Sequence, residues 1–135
     1  MMLNSNILTA SIAVPASRVY TFASNPTNMP LWAFAFVKSI ANINGEWTID
    51  SNLGKMKIEF APANPFGVLD HVVTLPDGRA FNNPMRVVPN VAGSLVTFTL
   101  FRQDGMSDAE FERDAGMVES DLQALKRVVE ALPLE

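Results

Sequence analysis

The chain contains no cysteine. Disulfides, thiolate metal sites and a cysteine nucleophile are thereby excluded, and the composition fits a reducing cytoplasm. With His71 the sole histidine, no metal is expected, since a zinc site usually takes three protein ligands. Lys and Arg number 10 against 14 Asp and Glu, for a formal net charge of −4. Nucleic-acid affinity comes mainly from cationic side chains on phosphate, so no nucleic-acid partner is expected. No apolar run approaches the roughly 20 residues that span a bilayer. Met1 to Val14 shows neither a basic n-region nor a continuous apolar h-region, and the expectation is a soluble cytoplasmic protein. No Gly-rich phosphate loop, G-x-S-x-G or H-E-x-x-H occurs, and no cofactor is expected. Repeats, low-complexity stretches and linkers are also missing, so residues 1–135 read as one domain. Nothing in the sequence bears on oligomeric state.

Two hydrophobic periods run through what remains. From Phe111 to Leu132 the apolar residues Phe111, Ala115, Val118, Leu122, Leu125, Val129 and Leu132 are spaced four and three alternately. That spacing draws one stripe along a long helix. Ser107 followed by Glu110 forms a capping box at its start. The helix is then about 25 residues, or roughly 38 Å, long enough to cross a sheet. Glu112, Arg113, Glu119, Gln123, Lys126 and Glu130 make its far, solvated face.

Upstream the pattern alternates with period two, as in half-buried strands. Asn6 to Val14 is the first strand, with Leu8, Ala10, Ile12 and Val14 on one face. Pro15 suits the first position of a short helix, and Asn25-Pro26 opens a second helical turn or two reaching Trp32. Val37–Ile43 and Glu46–Asp50 form a hairpin about Asn44-Gly45, the signature of a type I′ turn. Lys55–Phe60, Val68–Leu75, Ala80–Val88 and Ser94–Arg102 complete the strands. Pro84, inside the third of these, implies an edge position or a bulge.

The order of elements is that of the helix-grip fold, and the chain resembles the START-like (SRPBCC) superfamily. This group holds START lipid-transfer domains, the birch-pollen allergen family and polyketide cyclase/dehydrase-like proteins. The resemblance rests on Ile12-Ala13-Val14-Pro15-Ala16-Ser17-Arg18-Val19-Tyr20, on Asn25 to Trp32, on Gly67-Val68-Leu69-Asp70-His71, and on the tail Asp114 to Val118 with Asp121 to Lys126. It covers essentially the whole length. It implies an α+β domain: a curved, seven-stranded antiparallel sheet wrapped on the C-terminal helix, with two short helices after the first strand and a hydrophobic cavity between sheet and helix. The superfamily has no universal catalytic motif, so no functional residue carries over.

Candidate site residues come from the pattern itself. His71 is the default proton shuttle. It shares its strand face with Leu69, Val73 and Leu75 and so points inward; it is either an acid–base group or a hydrogen-bonded sheet histidine. Asp70 faces the opposite side. Asp114 and Asp121, seven apart, flank the helix stripe, as carboxylates at a cavity mouth or as rim groups meeting Arg86, Arg102 or a lysine. Arg86 falls on the outer face if alternation holds through Pro84. Tyr20 is a packing residue with a wet hydroxyl, or a donor to an oxyanion. The aromatic and methionine set is Trp32, Phe34, Phe36, Trp47, Met56, Phe60, Phe81, Met85, Phe98, Phe101 and Phe111. It either fills the core or lines an apolar pocket.

The expected ligand-binding set is Trp32, Phe34, Phe36, Trp47, Met56, Ile58, Phe60, His71, Val73, Phe81, Met85, Phe111, Asp114 and Val118, with His71 the candidate catalytic residue. Leu31 to Phe36 and Ala61 to Gly67 are the expected mouth. The expected partner is a small hydrophobic or aromatic molecule. Two alternatives stay open. One is a polyketide cyclase- or dehydratase-type enzyme using His71 as acid or base. The other is an interaction module like those that stimulate a chaperone ATPase, which needs a filled core and an exposed apolar patch.

Overall fold

The computed structural model describes residues 1–133. Strand β1 (Ser5–Ile12) buries Ala10 and Ile12, and Val14 continues the face just beyond it. Pro15 then stands at the N-cap of α1 (Ala16–Ala23), which turns Val19 and Ala23 inward. Asn25 caps the next turn, its side chain accepting the Thr27 N–H at 3.1 Å. A 3-10 turn over Pro26–Asn28 leads into α2 (Met29–Trp32), whose two end residues are both buried.

The antiparallel framework follows. Strands β2 (Val37–Ile43) and β3 (Glu46–Ser51) meet in the expected hairpin, with φ of 55° at Asn44 and 86° at Gly45. Positive φ at both positions is what a type I′ turn demands. Strand β4 (Gly54–Phe60) buries Met56 and Ile58. Then come β5 (His71–Thr74), β6 (Ala80–Asn83), β7 (Met85–Asn90) and β8 (Gly93–Phe101).

One expectation fails here. The strands do not make a single seven-stranded sheet. There are eight, hydrogen-bonded as β2-β3-β4-β5-β6 and β1-β8-β7. Two local causes account for the division. Pro84 has no N–H to give to a ladder, and it splits the expected Ala80–Val88 strand into β6 and β7, which lie in different sheets. The expected Val68–Leu75 strand also starts late, at His71. Its first residues run beside β7 instead: the Val87 N–H donates to Gly67 O at 3.0 Å and the Leu69 N–H to Met85 O at 2.8 Å. At this corner Gly67 has φ +73°, and a Cβ there would lie 2.1 Å from Val87 O. Only glycine fits that approach.

Helix α3 (Asp108–Ala131) closes the structure. Its capping box forms as read: Ser107 Oγ accepts the Glu110 N–H, and Glu110 Oε1 accepts the Ser107 N–H, both at 3.1 Å. The helix lies on β1, α1, α2 and β8. Its buried residues are Asp121, Leu122, Ala124, Leu125 and Val129, all in the second half. Leu122 and Leu125 join Val19, Ile49, Leu69, Met85 and Val96 in the core. Full burial of such a side chain contributes about 1.5–3 kcal/mol. The expected solvated face is only partly so. Lys126 Nζ donates to Ser11 O at 2.7 Å and Glu130 Oε2 accepts the Ala13 N–H at 2.8 Å, tying this half to β1.

Candidate functional site

No residue in the first half of α3 is fully buried, and beneath it lies a cavity of about 440 Å³. That is the size of a small-molecule pocket. Helix α3 roofs it with Asp114, Met117, Val118, Asp121 and Leu122, and Arg113 stands at the rim. Trp32 and Met29 come from α2, and Ala33 and Phe36 from the turn that follows. The sheets supply Val37, Ile49, Met56, Ile58, His71, Val73, Phe81 and Asn83, then Phe98, Leu100 and Phe101. Asn52, Leu53, Gln103 and Met106 complete the wall from loops. The five-stranded sheet contributes lining residues from β2 to β6, and the three-stranded sheet contributes them from β8.

Of the expected ligand-binding residues, Trp32, Phe36, Met56, Ile58, His71, Val73, Phe81, Asp114 and Val118 line this cavity. Five do not. Phe34 sits outside the turn after α2, 52% exposed. Trp47 shares the face of Ile49 but lies two pairs nearer the hairpin tip, packed against the core. Phe60 packs on the His71 ring, centroids 5.1 Å apart. Met85 is fully buried opposite Phe98 in the β7–β8 ladder, within the core. Phe111, in the first turn of α3, lies under the Arg102 guanidinium, 6.0 Å from the ring centroid. Strand alternation assigns a face to Trp47, Phe60 and Met85 but not a position along it.

The expected mouth needs the same correction. Residues 32, 33 and 36 reach the cavity, but none of residues 61–67 does. Asn64 folds that loop on itself, accepting the Phe66 and Val68 N–H groups at 3.0 Å. The Tyr20 hydroxyl accepts the Asn64 N–H at 3.0 Å. Tyr20 is thus a loop anchor away from the cavity. Arg86 lies on the outer face and forks onto Asp70 at 2.9 and 2.8 Å. Its guanidinium holds the Asp70 carboxyl below the usual carboxylate range.

The polar side chains on the cavity wall are Asn52, His71, Asn83, Gln103, Arg113, Asp114 and Asp121, with the Trp32 indole N–H among the aromatics. His71 is 5% exposed, between the Phe60 and Phe98 rings. Its Nδ1 lies 3.0 Å from Leu69 O. A carbonyl only accepts, so Nδ1 carries the proton and Nε2 is left with its lone pair. Burial lowers the His71 pKa and keeps the ring neutral. Asp121 is 8% exposed. Its Oδ1 accepts the Ala35 N–H at 3.1 Å, which ties α3 to the turn after α2. Burial pushes its pKa up to about 7. Asp114 is also raised by burial, and Arg113 lies 3.9 Å away. Trp32 Nε1 is buried with no hydrogen-bond partner. Among the described residues, no three His, Cys, Asp or Glu side chains group to hold a metal ion.

Asp121 is the site residue that the expected set omits. Its signal was present, since it lies seven after Asp114 and four after Met117 on one helix face. Met29, Met117, Phe98 and Phe101 line the wall as well. Phe98 and Phe101 belong to the aromatic set already read from the sequence and Met117 shares the Asp121 helix face, whereas Met29 joins them only through the fold.

No family model matches the chain, and no curated protein matches it in sequence. Solved structures do match, over nearly the full length. The structure is similar to a START superfamily protein from Mycobacterium smegmatis, with a TM-score of 0.68 at 15% identity, covering 96% of this chain and 99% of that one. It is similar to Ara h 8.0201, with a TM-score of 0.72 at 11% identity over 97% of this chain and all of that one (100%). It is also similar to DynU16, a protein of the dynemicin biosynthetic locus, with a TM-score of 0.71 at 16% identity. That match covers 94% of this chain and 47% of DynU16. The fold is therefore START-like: antiparallel sheets gripping a long C-terminal helix. Among the described residues no helix is long and apolar enough to cross a membrane.

Proposed function

We propose that the chain is a single START-like domain that binds a small hydrophobic or aromatic molecule between the sheets and the first half of α3. The observation that carries this reading is the cavity itself: about 440 Å³, walled by aromatic, methionine and aliphatic side chains with few polar groups. Met29, Met56, Met106 and Met117 suit it to ligands of varied shape, since methionine adapts readily. A cytoplasmic carrier or sensor fits a chain without cysteine. The interaction-module alternative requires a filled interior, and the cavity counts against it.

Uptake of the neutral dye Nile red tests the proposal. Saturable uptake with one dye per chain is expected, with blue-shifted emission. Replacing Val118 by tryptophan, to fill the space beneath α3, is expected to lower it at least tenfold. Absence of uptake by the wild type would refute the proposal.

One observation favours a second reading, acid–base chemistry on a bound polyketide-like substrate. His71 is buried and neutral, stands on the cavity wall and has a free Nε2 lone pair, as a general base requires. Cyclisation of a poly-β-ketone thioester by the wild type, lost in His71→Gln, would support it. Equal rates in the two proteins would rule it out.

A further inference from the structure

Asp121 carries an inference about the ligand that deepens the binding proposal and rests on it. Asp121 as a residue is more than nine-tenths buried, stands on the cavity wall, and forms no ion pair among the described residues. Among the described residues its side chain takes one hydrogen bond, from the Ala35 N–H to Oδ1. Oδ2 has no hydrogen-bond partner among the described residues and is not fully enclosed. A buried carboxylate without a cation is costly unless something neutralises it.

The remaining wall says what kind of group would do so. No lysine lines the cavity. Arg113 is the one cationic side chain there; it is largely exposed at the rim, and its nearest acid is Asp114. His71, from β5, is neutral and offers a lone pair. Helix α2 and the turn after it bring no titratable side chain to the wall. Trp32, Phe36 and Phe98 also line the cavity, and aromatic rings attract cations when water is excluded.

We propose that the cavity selects an organic cation, a protonated amine on an apolar or aromatic body, with Asp121 as its counter-ion. The carboxylate supplies charge and a hydrogen-bond acceptor to the ammonium, and the aromatic walls bury the body. The same wall disfavours an anionic headgroup such as a fatty-acid carboxylate, which would meet Asp121 and Asp114 with no buried cation to receive it. Burial also raises the Asp121 pKa in the empty site, so binding the ammonium releases a proton from part of the population.

The test displaces Nile red with three ligands sharing one body: naphthylethylamine, naphthylethanol and naphthylacetic acid. The wild type is expected to prefer the amine to the alcohol at least tenfold, with the acid weakest. In Asp121→Asn, whose amide oxygen still accepts the Ala35 N–H, the amine-to-alcohol ratio is expected to fall to about one. The wild-type ratio stands alone if the variant does not fold. It is expected to shrink as pH drops from 8 to 5, because Asp121 protonates while the amine stays charged. Equal binding of amine and alcohol by the wild type overturns the inference and leaves the binding proposal intact. So does tightest binding of the acid, or a ratio that survives Asp121→Asn. Failure to take up Nile red at all overturns both.

Discussion

The two halves of α3 carry one apolar stripe and meet different surroundings. The second half, from Asp121 onward, buries Leu122, Ala124, Leu125 and Val129, with Lys126 and Glu130 bonded to β1. The first half carries Phe111, Ala115 and Val118 at the same spacing, yet none of them is buried. One half is a structural clamp and the other a roof. Periodicity reports which face of a helix turns inward; it does not report whether protein or empty space lies beneath that face.

The largest expected effect that separates the halves is on stability. Leu125→Ala removes a fully buried side chain and is expected to cost about 3 kcal/mol in urea unfolding, within the usual range of such truncations. Val118→Ala lies against a space that is already empty and is expected to cost under about 1 kcal/mol while weakening Nile red uptake. Equal costs would erase the distinction between clamp and roof.

Asp121 sits where the two halves meet, and pH sharpens its part. Its native pKa of about 7 lies above its unfolded value of about 4. Between those values the native state holds a proton that the unfolded chain has lost, so this group's contribution to stability falls as pH rises across the window. Asp121→Asn is therefore expected to gain on the wild type by about 2–4 kcal/mol between pH 4 and pH 8, measured by unfolding at each pH. His71 acts in the opposite sense. Its native pKa is lowered by burial, so its contribution falls as pH drops below about 6.5, where the unfolded chain takes up the proton first. A flat difference between variant and wild type would contradict the burial of Asp121.

Two smaller effects complete the series. Glu130→Ala frees the Ala13 N–H and Lys126 on the clamp side and is expected to cost about 1 kcal/mol by thermal unfolding. Arg86→Ala removes a half-exposed fork from Asp70 on the outer face. It is expected to cost at most about 1 kcal/mol and to leave dye uptake unchanged.

Much of this architecture is legible in the sequence. The capping box, the Asn44-Gly45 turn, the inward faces of β1 and β4, and the opposed facings of Asp70 and His71 all follow from local rules that nothing overrides here. What was not legible is non-local. Pro84 announced a disturbance, but whether the chain would bulge or change sheets depended on how closely Gly67 approaches Val87. Tyr20 and Asn64 are 44 residues apart, and no spacing rule joins them. Asp121 looked like a rim carboxylate because the helix angle puts it on a flank. Only the Ala33–Phe36 turn, folded down beside it, turns that flank into an interior.

Amide chemical-shift mapping of the labelled protein titrated with Nile red tests the central claim most directly. If the first half of α3 roofs a binding cavity, shifts will concentrate at Phe36, Met56, Val73, Asp114 and Val118, while Val19, Leu125 and Val129 stay still. Shifts spread over the clamp, or confined to exposed apolar residues such as Phe66 and Val91, would contradict it.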